Sequence, residues 1–194
     1  MRVLLLILAV SSLALCQDSF TVSKMLLKVS KTAPYTPEQI THAKVILQAC
    51  VPFTNDLNKL SYVVGTAIFE TGLKSFKERR CSPTESCYRS QEKYWYTGYW
   101  GRGYVPLIGQ ANYAKFGQLL GVDLVGNPDL ALRPDIAGKI ICMGMNKGLF
   151  TGYKLSDFFF GSEVRWDLAR KIIKANSEKA ADVTSIATLI NKMN

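Results

Sequence analysis

Histidine is almost missing from this chain: His42 stands alone among 194 residues. It falls on a segment with one apolar face, so it reads as a helix-surface or core residue. Ser-His-Asp and Cys-His catalysis therefore lack a natural base. The same shortage argues against zinc, since one histidine and no CxxC pair offer little of the usual ligand spacing, and no metal is expected. No Walker-type glycine loop and no dinucleotide fingerprint occurs, and no cofactor is expected. Acidic residues are also scarce, 15 against 24 Lys and Arg, for a formal net charge of +9. The basic residues are scattered and form no dense block or nucleic-acid motif, so nucleic acid is not an expected partner. Positive charge of this size favours approach to anionic surfaces such as bacterial walls or acidic glycans.

Long apolar runs are confined to the first residues. MRVLLLILAVSSLALCQ has a basic start at Arg2, an apolar stretch from Val3 to Val10, then small residues before Cys16. That is the build of a secretory signal peptide over residues 1–17. The run falls short of the roughly 20 residues that a membrane span requires. Secretion is therefore expected, with one soluble, monomeric domain over 18–194 and no membrane span. Loss of Arg2 takes the net charge from +9 to +8. Four cysteines then remain in an oxidising compartment, Cys50, Cys81, Cys87 and Cys142, which implies two disulfides. Three pairings are open; Cys81 and Cys87 bracket the short loop SPTES as the local choice, and Cys50 with Cys142 would then join two helices.

Most of the chain after residue 35 carries helical signals. Thr36 as N-cap, Pro37 at the first position and Gln39 three residues later compose a capping box. Ile40, Ala43, Ile46 and Leu47 follow on one face. A second helix is expected from Thr54 or Asn55 through Ile68, stopped by Gly72. Further helices are expected at Ala111–Leu120, Pro134–Lys147, Glu163–Ala175 and Ala180–Lys192. Residues 73–105 lack sustained periodicity. The fold class is mainly α, a helical domain with one long irregular segment, and long segments of that kind inside compact domains are often functional.

With histidine chemistry excluded, carboxylates and aromatics remain. Two carboxylates suffice for glycoside hydrolysis, one protonated to serve the leaving oxygen and one ionised to activate water or attack the anomeric carbon. Glu70 closes the second expected helix, and Glu78 follows in FETGLKSFKE. Beyond them, KYWYTGYWGRGY gathers Tyr94, Trp95, Tyr96, Tyr99, Trp100 and Tyr104 around glycines. Flat aromatic faces stack on the apolar faces of sugar rings, while tyrosine hydroxyls and Arg102 offer hydrogen bonds to ring substituents. Gly101 and Gly103 permit close backbone approach or positive φ on either side of Arg102.

In order, ETG, GRGY, ANY, NPDLAL and LARKII resemble the family 19 glycoside hydrolases, the chitinases and related cell-wall lysins with a lysozyme-like helical fold. The likeness runs from about Pro37 to the C-terminus and is nearest the short single-domain form. It implies Glu70 as general acid, with Glu78 as the second carboxylate and Glu92 as its rival. It further implies an inverting reaction, whose carboxyl groups stand roughly 6.5–9.5 Å apart to admit a water. Trp100, Arg102, Tyr104, Asn112, Tyr113 and Arg170 are implied as substrate-binding or site-holding residues.

The sequence departs from the family pattern at three places. GRGYVPLI carries Pro106 and Ile108 where a glutamine and a hydroxyl residue are expected, and IIKAN carries Lys174 in place of an asparagine. Proline offers neither an amide side chain nor an N–H. ETGG is also replaced by ETGL, which brings in Leu73. Two functions follow: a secreted glycosidase acting on chitin or peptidoglycan, or a glycan-binding protein that kept the cleft and lost turnover. A cationic antimicrobial role through charge alone is a third.

Overall fold

Thr36 does what its surroundings dictate. Its hydroxyl accepts from the Gln39 backbone N–H, and the Gln39 side chain accepts from the Thr36 N–H, closing the box that starts α1 (Pro37–Cys50). In the computed structural model, which describes residues 19–174 and 179–193, α2 spans Leu57–Thr71. Its N-cap is Asp56, one residue past the expected start, because the Asp56 carboxylate takes the N–H groups of Asn58 and Lys59. The expected signal peptide lies outside the described residues.

Four further helices follow: α3 (Tyr88–Glu92), α4 (Gln110–Leu120), α5 (Pro134–Lys147) and α6 (Ala180–Lys192). Two small antiparallel pairs complete the frame, β1 (Phe76–Lys77) with β2 (Arg102–Gly103), and β3 (Phe159–Phe160) with β4 (Glu163–Val164). Helix α1 packs along α5, and the Cys50–Cys142 disulfide joins them. Helix α2 packs along α6, so closely that a Cβ on Gly65 would lie 2.9 Å from that of Ala187. One apolar cluster fills the space among these four helices; a second, around Tyr113, Phe116, Leu124 and Ile140, lies under α4 and α5. Phe150 packs against both. Among the described residues, no helix is long and apolar enough to cross a membrane.

Two features differ from the sequence reading. Residues 19–30 are helical and bury Val22, Met25 and Val29 against the main core. Lys28 of this stretch donates to the Asn191 and Met193 carbonyls at the end of α6, where a cation suits the helix dipole. Secondly, the helix expected at Glu163–Ala175 does not form. Glu163 and Val164 pair with β3, Arg165 N–H donates to the Phe158 carbonyl, and Ala169–Ile172 is a 3-10 turn. Val164, Leu168 and Ile172 do pack against the core, so the helical stripe was a true signal of burial. The hairpin consumes the backbone groups that the first helical turn would have needed.

At the end of α2, Gly72 takes the left-handed conformation (φ 62°), and Leu73 follows it there (φ 57°). A non-glycine residue pays for that conformation with about 1–2 kcal/mol. The Leu73 side chain is fully buried in the main core, and that burial offsets the cost. Leu73→Ala keeps the unfavourable backbone and removes the compensation. A loss of about 2–4 kcal/mol is expected from urea unfolding, and an unchanged midpoint would refute this account of the turn.

Candidate active site

Glu70 occupies the last turn of α2 and Arg170 the 3-10 turn that replaced the expected helix. Glu70 Oε1 and Arg170 Nη1 are 2.5 Å apart; the arginine side chain is 2% exposed and the glutamate 14%. A guanidinium this deeply buried has to meet an anion, which ties the two segments together. The Phe69 ring lies beside the same guanidinium at 5.3 Å, with the Lys179 ammonium on it at 5.7 Å.

Glu78 is positioned by strand pairing. Beyond β1, its N–H donates to the Gly101 carbonyl (2.9 Å), and Gly101 N–H returns to Glu78 Oε2 (2.6 Å). A Cβ at position 101 would stand 3.0 Å from Glu78 Oε2 and 3.0 Å from Pro106 Cβ, so glycine permits the approach. Glu78 Oε1 accepts from the Tyr94 hydroxyl (2.7 Å) and the Gln91 amide (2.8 Å). Burial first, then the bond to Glu78 and its charge, push the Tyr94 hydroxyl far above its ordinary value, so it stays a donor. Gln91 is itself fixed: its carbonyl accepts from Cys81 N–H (2.6 Å), and its amide also reaches the Arg79 carbonyl. The Cys81–Cys87 disulfide closes the loop that brings Gln91 there.

The two carboxylates line one cleft of about 390 Å³. Its wall includes Val105, Pro106, Ile108, Asn112, Phe150 and Lys174. Pro106, Ile108 and Lys174 thus lie in the same cleft as Glu70 and Glu78, while Leu73 is in the main core. Glu92, the rival, does not line it; its carboxylate pairs with Arg80.

Several residues implied as substrate-binding or site-holding have partners within the protein. Arg102 is buried, bonded to Asp129 (2.7 Å), the Gly98 and Trp100 carbonyls and the Tyr113 hydroxyl. Tyr113 is wholly buried and donates to the Trp100 carbonyl (2.7 Å). Tyr104 is also wholly buried, its hydroxyl 2.5 Å from His42 Nδ1. The Trp100 ring is already stacked by Trp95, with Arg102 at 3.5 Å and Lys77 at 5.2 Å. Trp100 and Tyr113 lie against the Arg102 guanidinium, and none of these rings is in the lining of the cleft. Asn112 does reach the cleft, its amide donating to the Ile108 carbonyl (2.8 Å). Sequence reasoning missed Gln91 and the donor role of Tyr94. Gln91 sits in an unremarkable polar run, and no local signal marks it.

Residues 60–141 match the family described as chitinase class I. A chitinase C mutant of known crystal structure superposes with a TM-score of 0.51 at 19% identity, over 87% of this chain and 90% of that one. The family match covers less than half of the chain and marks a likeness to glycoside hydrolase family 19 over that segment. Its fold is that of chitinase C, a lysozyme-like helical fold. Among similar proteins, Chitinase 8 of Oryza sativa subsp. japonica is 62% identical over 32 residues, 16% of this chain and 12% of that protein. The acidic 27 kDa endochitinase of Solanum lycopersicum is 56% identical over 34 residues, 18% and 14% of the respective chains. The aligned part thus spans only about an eighth of each curated relative's length.

The framework around Arg102 carries a pH signature. Partial burial works to raise the Asp129 carboxyl, but the hydrogen bond and charge of Arg102, with Lys77 added, outweigh it and hold the group below its ordinary value. A depressed folded value stabilises the protein above the ordinary value near ~4, and the contribution disappears as pH falls through the folded one. The difference in urea midpoint between wild type and Asp129→Asn is therefore expected to be largest near neutrality and to shrink below about pH 4. A gap independent of pH would show that the ion pair is not its source.

Proposed function

We propose that this chain is a secreted glycoside hydrolase acting on β-1,4-linked N-acetylglucosamine-containing polysaccharide, chitin or peptidoglycan. One observation carries the reading: Glu70 and Glu78 reach a single cleft from different elements and are held in different ways. The names of the rice and tomato relatives support the substrate class. Glu78 accepts three hydrogen bonds and donates none, which suits a base. A carboxylate has about four acceptor positions, so roughly one is left for the proton of an attacking water. Glu70 is then the acid that protonates the leaving glycosidic oxygen, which requires its carboxyl to take up a proton in the substrate complex while Arg170 holds it in place. Water attacks the opposite face of the sugar, and the anomeric configuration inverts. The two disulfides agree with an oxidising, extracellular location, where the segment 1–17 would direct the chain.

A second reading is favoured by the cleft wall. Pro106 and Ile108 present neither an amide nor a hydroxyl to hold the water, so the cleft would bind glycan without turnover.

Incubation with chitin oligomers and with peptidoglycan, followed by product mass analysis, separates the two. Glu70→Gln and Glu78→Gln are each expected to lower hydrolysis by about 10²–10⁴-fold. Glu92→Gln is expected to retain the wild-type rate. Unchanged hydrolysis in Glu70→Gln would overturn the assignment of the acid. Glycan pull-down without product from the wild type would establish the second reading.

A further inference from the structure

The charges in the cleft do not cancel evenly. Glu70 is compensated by Arg170, and Glu78 is held by neutral donors: an amide, a hydroxyl and a backbone N–H. Lys174 lines the same cleft, is exposed, and pairs with no carboxylate among the described residues. It directly follows Ile173, another residue of the wall, and stands where the family resemblance leads one to expect a neutral asparagine. A second ammonium, that of Lys179, rests on the ring of Phe69, the residue before Glu70. The wall near Glu70 thus carries cationic groups beyond the one that Glu70 neutralises.

We propose that Lys174 selects a carboxylate-bearing glycan. The substrate class is an N-acetylhexosamine chain in which alternate rings carry a free carboxylate on an ether substituent, in preference to uncharged chitin. That is the chemistry of the bacterial wall polymer where its peptides have been removed. This rests on the proposed function and narrows its substrate. A neutral chain gives the Lys174 ammonium only hydroxyl and amide oxygens to replace its water. A lactyl carboxylate gives it a charge-assisted bond, which is about twice as strong as a neutral one. The overall basic charge of the chain, +9, acts in the same direction at longer range.

The test compares wild type with Lys174→Gln on three oligosaccharides of equal length. One is the N-acetylglucosamine oligomer, one the peptide-free wall oligomer with free carboxylates, and one the same wall oligomer as its methyl ester. Dissociation constants are measured by calorimetry at 4 °C in low salt, and the same samples are analysed for products. Wild type is expected to bind the free acid about five- to tenfold more tightly than the ester. The ratio is expected to fall towards one in Lys174→Gln, and in wild type at molar salt. Equal affinity of wild type for acid and ester overturns the proposal, as does a preference that survives in Lys174→Gln. Because the affinity ratio does not depend on turnover, an absence of products counts against the hydrolase reading alone. A preference for the acid in those same samples would still establish charge selection.

Discussion

The pairing of Glu70 with Arg170 is the constraint to which the rest of this structure answers. A guanidinium that is 2% exposed cannot be left without a counter-charge, and removal of one member of such a pair typically costs about 3–5 kcal/mol. Meeting that demand pulls the segment after β4 against the end of α2. There it turns as a 3-10 element and cannot continue as the helix its apolar spacing suggested. The same pairing sets one wall of the cleft and determines which carboxyl group stands beside Phe69 and Lys174.

The opposite wall is built by a different device. Glu78 is held through backbone pairing with Gly101 and through Tyr94 and Gln91, all neutral groups. Arg102, Asp129, Tyr113 and Trp100 support that arrangement from behind, in a network where each buried polar group finds a partner. One carboxyl therefore meets a full positive charge, while the other meets oriented dipoles. Two acidic groups placed in unlike surroundings can take unlike roles in one reaction. This difference in surroundings is what the proposed division into acid and base rests on.

Much of this was legible along the chain. The capping box at Thr36, the stop at Gly72 and the helices at Pro134–Lys147 and Ala180–Lys192 are local features, and they formed as local rules require. Glu70 and Glu78 were visible as the carboxylates left once histidine chemistry was excluded, and the motif order singled them out. Glu92 could not be separated from Glu78 by spacing, because the distinction depends on which side of the loop Arg80 occupies. The aromatic segment was marked as unusual, and part of it packs against Arg102. Composition cannot tell a ring that faces a ligand from a ring that faces a buried arginine.

The sequence by itself determined the helical class, the cysteine count, the two carboxylates and the unusual residues at 106, 108 and 174. Each of these follows from residue type and near-neighbour spacing. Tertiary structure alone decided that residues 163–174 form a hairpin and a turn, that Gln91 serves Glu78, and that Lys174 shares a cleft with Glu70. The reason is that buried charges and unpaired backbone groups are satisfied across long chain separations. Which partner satisfies them is settled only when the packed elements bring the candidates together.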